Sequence, residues 1–178
     1  MQQSKSIEQA LTYAKTLINI PYRWYDESAD VFKQDDQFWC GDGPAPSAKT
    51  IILEDKCIVC TGLINLMRRY IGLPIPQYGE YSGGTVAWVK YLTETKRIKD
   101  INLDVKYPAG TLLIKKYKNH EEQGHVAVML EDSHIIHAAA DIPYADRHRH
   151  KNHGYVRIEK YDLSYFTHAC DAIEWLVM

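Results

Sequence analysis

The chain has 178 residues, 46% hydrophobic and 25% charged, which are globular proportions at a length that fits one compact domain, 1–178. A formal net charge of -2 gives no broad basic surface, which argues against nucleic acid as a partner. The opening MQQSKSIEQALTYAKTLINI lacks the unbroken apolar core of a signal peptide, and no stretch reaches the roughly 18 apolar residues of a membrane span. The expectation is therefore a soluble, cytoplasmic protein without a membrane partner.

Ile7, Leu11, Ala14, Leu17 and Ile18 recur at helical spacing, with Ser6 as N-cap and Pro21 closing the segment. From Tyr22 to about Lys56 periodicity is lost and CGDGPAPSAK reads as a surface loop. A second helix is expected over Ile58 to Tyr70, where Val59, Leu63, Leu66 and Met67 share a face and Gly72 and Pro74 end it. A third is expected from Thr85 to about Lys96, with Val86, Val89, Tyr91 and Leu92 as its apolar positions. TLLIKKY, HVAVML, HIIHA and GYVRIEKY then read as an antiparallel meander, while LSYFTHACDAIEWLVM fits helix or strand equally. Helices followed by strands make the class α+β, with helices packed on one face of an antiparallel sheet.

The four cysteines (Cys40, Cys57, Cys60, Cys170) are too few and too unevenly spaced for a disulfide scaffold, so they read as reduced thiols. Cys60 falls in the first turn of the second helix. A helix N-terminus lowers a thiol pKa, and its free N–H groups can stabilise an oxyanion formed at the sulfur. The competing reading of Cys60 is a small buried apolar residue.

GHVAVMLEDSHIIHAA favours the first reading. If Glu131, Asp132 and Ser133 form a three-residue turn, Leu130 pairs with His134 and Ala127 with His137. His125 and His137 then share a face as diagonal neighbours, about 7–8 Å apart by backbone, and His134 faces the other way. One ring can take the thiol proton while the other orients it. A two-residue turn would put His125 and His137 on opposite faces and remove the argument.

These stretches resemble the NlpC/P60 family of papain-like cysteine peptidases in its unpermuted branch. PYRWYD from Pro21, VCTGLI from Val59, PAGTLL from Pro108, GHVAVML from Gly124 and IIHAA from Ile135 follow the order of that family's motifs. Thr61 stands where a serine is usual and Thr111 where PGDL has aspartate, the Gly-Gly after Trp24 is absent, and the loop before Cys60 is longer. The resemblance implies Cys60 as nucleophile, His125 as base, His137 as third polar residue and Tyr22 as a donor to substrate or oxyanion. It implies a cysteine peptidase or amidase acting on a peptide or N-acyl amide, with no cofactor and no metal.

Three other classes stand beside this one. A thiol acyltransferase differs only in what resolves the acyl-enzyme, and a binding module would keep the groove without turnover. Cys57 and Cys60 form a C-x-x-C for a metal or redox site, yet His120 and His125 are not at zinc-ligand spacing. RHRHKNH, Arg147 to His153, reads as a solvated loop able to hold an anion.

Overall fold

A computed structural model describes residues 2–24, 43–78, 81–119, 124–131 and 133–176. Among the described residues five helices, α1 (Gln2–Thr16), α2 (Ala48–Leu53), α3 (Cys60–Tyr70), α4 (Thr85–Glu94) and α5 (Ala172–Trp175), accompany nine strands. The strands are β1 (Pro21–Tyr22), β2 (Gln77–Tyr78), β3 (Tyr81–Ser82), β4 (Lys99–Asp100), β5 (Leu112–Lys115), β6 (His125–Met129), β7 (His134–Ala140), β8 (Gly154–Lys160) and β9 (His168–Cys170). Seven of them form one sheet in the order β1-β8-β7-β6-β5-β9-β4, antiparallel throughout, and β2 pairs with β3. The expected α+β class and the β5–β8 meander are present. No helix among the described residues is long and apolar enough to cross a membrane.

Several local expectations need correcting. α1 begins at Gln2, so Ser6 lies inside the helix instead of capping it, and Pro21 opens β1, whose edge pairing suits a residue without an N–H. The loop expected up to Lys56 contains α2, capped by the Ser47 side chain accepting from the Thr50 amide; its residues 25–42 lie outside the described set. In α4 the buried positions are Ala87, Trp88 and Leu92, while Val86 is exposed, because the large indole sets which face turns inward. The ambiguous last segment is a 3-10 turn, then β9, then α5.

Strand alternation splits the core between the two faces of the sheet. Val126, Val128, Ile136, Ala138 and Val156 face α1, α3 and α4, whereas Leu113, Ala127, Met129 and Ile135 pack under Phe166. Buried Asn65 of α3 accepts from the Trp88 indole (2.7 Å) and donates to the Gly83 carbonyl (2.9 Å). These bonds fix the start of α4 beside α3. Both helices begin without a side-chain cap, at Val59 and Gly84, so their first amides remain available to other acceptors.

Gly154 sets the β1 edge. It pairs with Tyr22 on one side and Ala140 on the other, and a Cβ there would lie 2.0 Å from the Ala139 carbonyl oxygen. Backbone cannot move aside as a side chain does, so Gly154→Ala is expected to cost about 3 kcal/mol, read as a lowered urea midpoint at unchanged slope. An unchanged midpoint would mean that β1 and β8 separate easily.

Candidate active site

Cys60 is the first residue of α3, following Val59 in extended conformation, and its surface is part exposed. Burial of the sulfur pushes the thiol pKa up. The amides of Thr61, Val126 and Cys60 and the hydroxyl of Thr85 act against that rise by hydrogen bonding. These donors come from α3, β6 and α4, and they suit an anion on the sulfur or an oxyanion bonded to it. Thr85 was not evident from the sequence, because only the docking of α4 brings it here.

The β6–β7 register is the one a three-residue turn requires. Val128 pairs with Ile136 and Met129 with Ile135, the Leu130 amide donates to the His134 carbonyl (2.7 Å), and Ser133 takes the left-handed conformation at φ 60°. Asp132, within that turn, lies outside the described residues. His125 and His137 consequently share a face, with Nε2 of His125 2.9 Å from Nδ1 of His137. The diagonal step repeats on β8. His137 pairs with Arg157, and Glu159, two residues further, brings Oε1 to 2.9 Å from His137 Nε2. That approach is out of line for a hydrogen bond, leaving Nε2 without an aligned acceptor among the described residues. Arg157 holds the same carboxylate through Nε to Oε2 at 2.9 Å and also pairs with Asp141.

Burial is the largest influence on both imidazoles and lowers both pKa values. His137 and the charges of Arg157 and Lys115 lower His125 further, and Arg157 lowers His137. Glu159 should pull His137 upward, but its pairing with Arg157 and its poor alignment leave burial dominant. Each imidazole therefore resists taking a proton alone. If the His137 Nε2 proton faces Glu159, His137 Nδ1 accepts from His125 Nε2, and Nδ1 of His125 keeps a free lone pair for a thiol proton. Two indirect observations relate His125 to Cys60. The Val126 amide reaches the sulfur, and Tyr165, whose ring centroid is 6.1 Å from that of His125, is itself sensitive to a charge on Cys60.

Tyr22 is buried on β1 beside Cys60. Burial raises its pKa, as does the thiol, while the Arg147 guanidinium, hydrogen-bonded to the phenol, opposes the rise. The phenol stays protonated at neutral pH. With Arg147 donating to its oxygen, the Tyr22 O–H remains to be donated toward the reacting centre.

The stretch read as a solvated loop is in part structural, which corrects that expectation. Arg147 is buried, donates to the carbonyls of Ile142 and Trp24 (both 3.1 Å), and stands 5.7 Å from the Tyr22 ring centre. His153 is also buried, accepting from the Trp24 amide at Nδ1 (2.9 Å) and donating from Nε2 to the His150 carbonyl (3.0 Å). Arg149, Lys151, His148 and His150 are exposed.

Cys57 and Cys170 are buried, and burial pushes Cys170 up to about 12. Cys40 lies outside the described residues, as does His120. Among the described residues no three His, Cys, Asp or Glu side chains gather as metal ligands. Thr111, at the position of the family's aspartate, is buried with its hydroxyl unpartnered among the described residues.

No protein-family model and no curated protein matches the chain. Solved structures do. The peptidoglycan hydrolase RipB of Mycobacterium tuberculosis superposes with a TM-score of 0.53 at 15% identity, over 97% of this chain and 67% of that one. Two P60 domains of Mycobacterium avium subspecies paratuberculosis are similar over nearly their whole length. That of antigen MAP1204 has a TM-score of 0.51 at 18% identity, covering 98% of this chain and 99% of its own. That of antigen MAP1272c has a TM-score of 0.53 at 13% identity, covering 96% of both chains. Helix order, antiparallel sheet and these superpositions agree, and the fold of this chain is that of the NlpC/P60 domains.

Proposed function

We propose that the protein is a thiol hydrolase that cleaves a peptide or N-acyl amide bond, with Cys60 as nucleophile, His125 as general base and acid, and His137 as the orienting group. The observation that carries this reading is the diagonal chain Glu159–His137–His125 across three strands, ending on β6 one residue before Val126, whose amide bonds to the Cys60 thiol at an uncapped helix N-terminus. His125 takes the Cys60 proton as the sulfur adds to the carbonyl carbon. The resulting oxyanion accepts hydrogen bonds from the first amides of α3, with Tyr22 and Thr85 as further donors. His125 then gives its proton to the nitrogen as the C–N bond breaks, and activates the water that releases the acid and restores the thiol. No step calls on a cofactor. RipB, similar in fold, is a peptidoglycan hydrolase, which makes peptidoglycan stem peptides the first substrates to try.

The test incubates the protein with stem peptides and N-acyl amino acids in ¹⁸O-labelled water and follows products by mass spectrometry. One ¹⁸O in a newly formed carboxyl group, with a transient acyl adduct on Cys60, is the expected result. Products that form only with an added amine or alcohol would replace hydrolase by acyltransferase. Absence of both cleavage and adduct across the panel would favour a binding module.

A further inference from the structure

Beyond the reacting atoms, the surroundings of His125 bear on what the substrate carries, provided that the thiol hydrolase reading holds. Lys115 ends β5 directly opposite His125 in the β5–β6 register, so both side chains leave the sheet on the same face. Its Nζ lies 4.5 Å from the ring centre of Tyr165, which is 37% exposed and within 6.1 Å, centre to centre, of the His125 ring. The other cations here are engaged, Arg157 by Asp141 and Glu159 and Arg147 by backbone carbonyls. Among the described residues no carboxylate pairs with Lys115.

An ammonium with no carboxylate partner among the described residues, set beside a general base, disfavours the imidazolium that the reaction must form, and Lys115 does lower the pKa of His125. An anion arriving at Lys115 removes that penalty. The amine departs toward the imidazole that protonates it, so a group beside His125 meets the leaving-group side of the substrate. We propose that Lys115 and Tyr165 form the leaving-group subsite, and that it takes a residue whose carboxylate lies next to the scissile nitrogen. Tyr165 supplies the wall for the carbon chain and Lys115 the charge.

Two thiol reagents of matched reach separate this idea from the one it rests on. 2-Carboxyethyl methanethiosulfonate places a carboxylate carbon as many atoms from the Cys60 sulfur as acyl carbon, nitrogen and α-carbon would, and the 2-hydroxyethyl reagent is its neutral counterpart. In each case Cys60 forms a mixed disulfide and methanesulfinate leaves, and initial rates at Cys60 are read by peptide mass spectrometry. The ratio of anionic to neutral rate is expected to fall about fivefold in Lys115→Met, recover in Lys115→Arg, and stay at the wild-type value in Lys116→Met. Loss of a cation that depresses His125 would by itself make the imidazolium more abundant and raise the ratio, so a fall is specific to the missing ammonium. An unchanged ratio in Lys115→Met, or an equal fall in Lys116→Met, overturns the subsite alone. A neutral reagent that modifies Cys60 no faster than Cys57 or Cys170 overturns the nucleophile, and the subsite with it.

Discussion

Replacement of Cys60 by alanine is expected to abolish turnover while the protein stays folded. The sulfur forms the covalent bond, so its loss removes the route through an acyl-enzyme, and no neighbouring group can substitute. Thr61 and Thr85 carry hydroxyls whose alkoxide forms are inaccessible near neutral pH. The structural cost is small, since Cys60 is partly exposed and loses one atom, about 1 kcal/mol or less. A circular-dichroism melt within a few degrees of wild type, with product formation down at least about a thousandfold, is the expected pair of results. Cys57→Ala, close in sequence but outside α3 and without a part in the reaction, serves as the control and should retain turnover.

His125→Ala is expected to lower turnover by about a thousandfold, because the imidazole both takes the thiol proton and returns it to the leaving amine. Its pH dependence follows from burial. A histidine whose folded pKa is depressed stays neutral, and able to accept a proton, at pH values where an ordinary imidazole is already charged. Burial, His137, Arg157 and Lys115 all act in that direction on His125. The acid limb of kcat/KM should therefore lie below the ordinary histidine value, and the His125→Ala remnant should lack that limb. An acid limb above pH 7 in the wild type would mean that the thiol, not the imidazole, sets it.

Much of this arrangement is legible in the sequence because it depends on short-range rules. The three-residue turn at 131–133 fixes the β6–β7 register, and with a side-chain period of two the meeting of His125 and His137 follows. The start of α3 was marked by the return of helical period after Lys56, which put Cys60 in the first turn. Glu159 was not legible, although it sits on a strand that was expected. Its place diagonal to His137 depends on the β7–β8 register, and residues 141–153 joining those strands contain a 3-10 turn whose path no local pattern fixes. Arg147 looked like a loop cation because its stretch is basic, and only the pairing of β1 with β8 folds that stretch over Tyr22 and Trp24. β4 is not legible, and β9 lies in the segment that fits helix or strand equally, for a similar reason: strands of two and three residues carry too little alternation to be read.

The central claim is that Cys60 and His125 act as one unit. Burial opposes a lone thiolate and a lone imidazolium alike, but moving a proton from one to the other leaves the net charge unchanged, and the two charges attract. The direct measurement is the rate of iodoacetamide labelling at each cysteine against pH, read by peptide mass spectrometry, for wild type and His125→Ala. The account predicts that Cys60 reacts faster than Cys57 and Cys170 below pH 7, and that in His125→Ala this reactivity disappears until the thiol ionises alone at alkaline pH. Equal labelling profiles for Cys60 in the two proteins, or a Cys60 that reacts no faster than the buried Cys57, would contradict it.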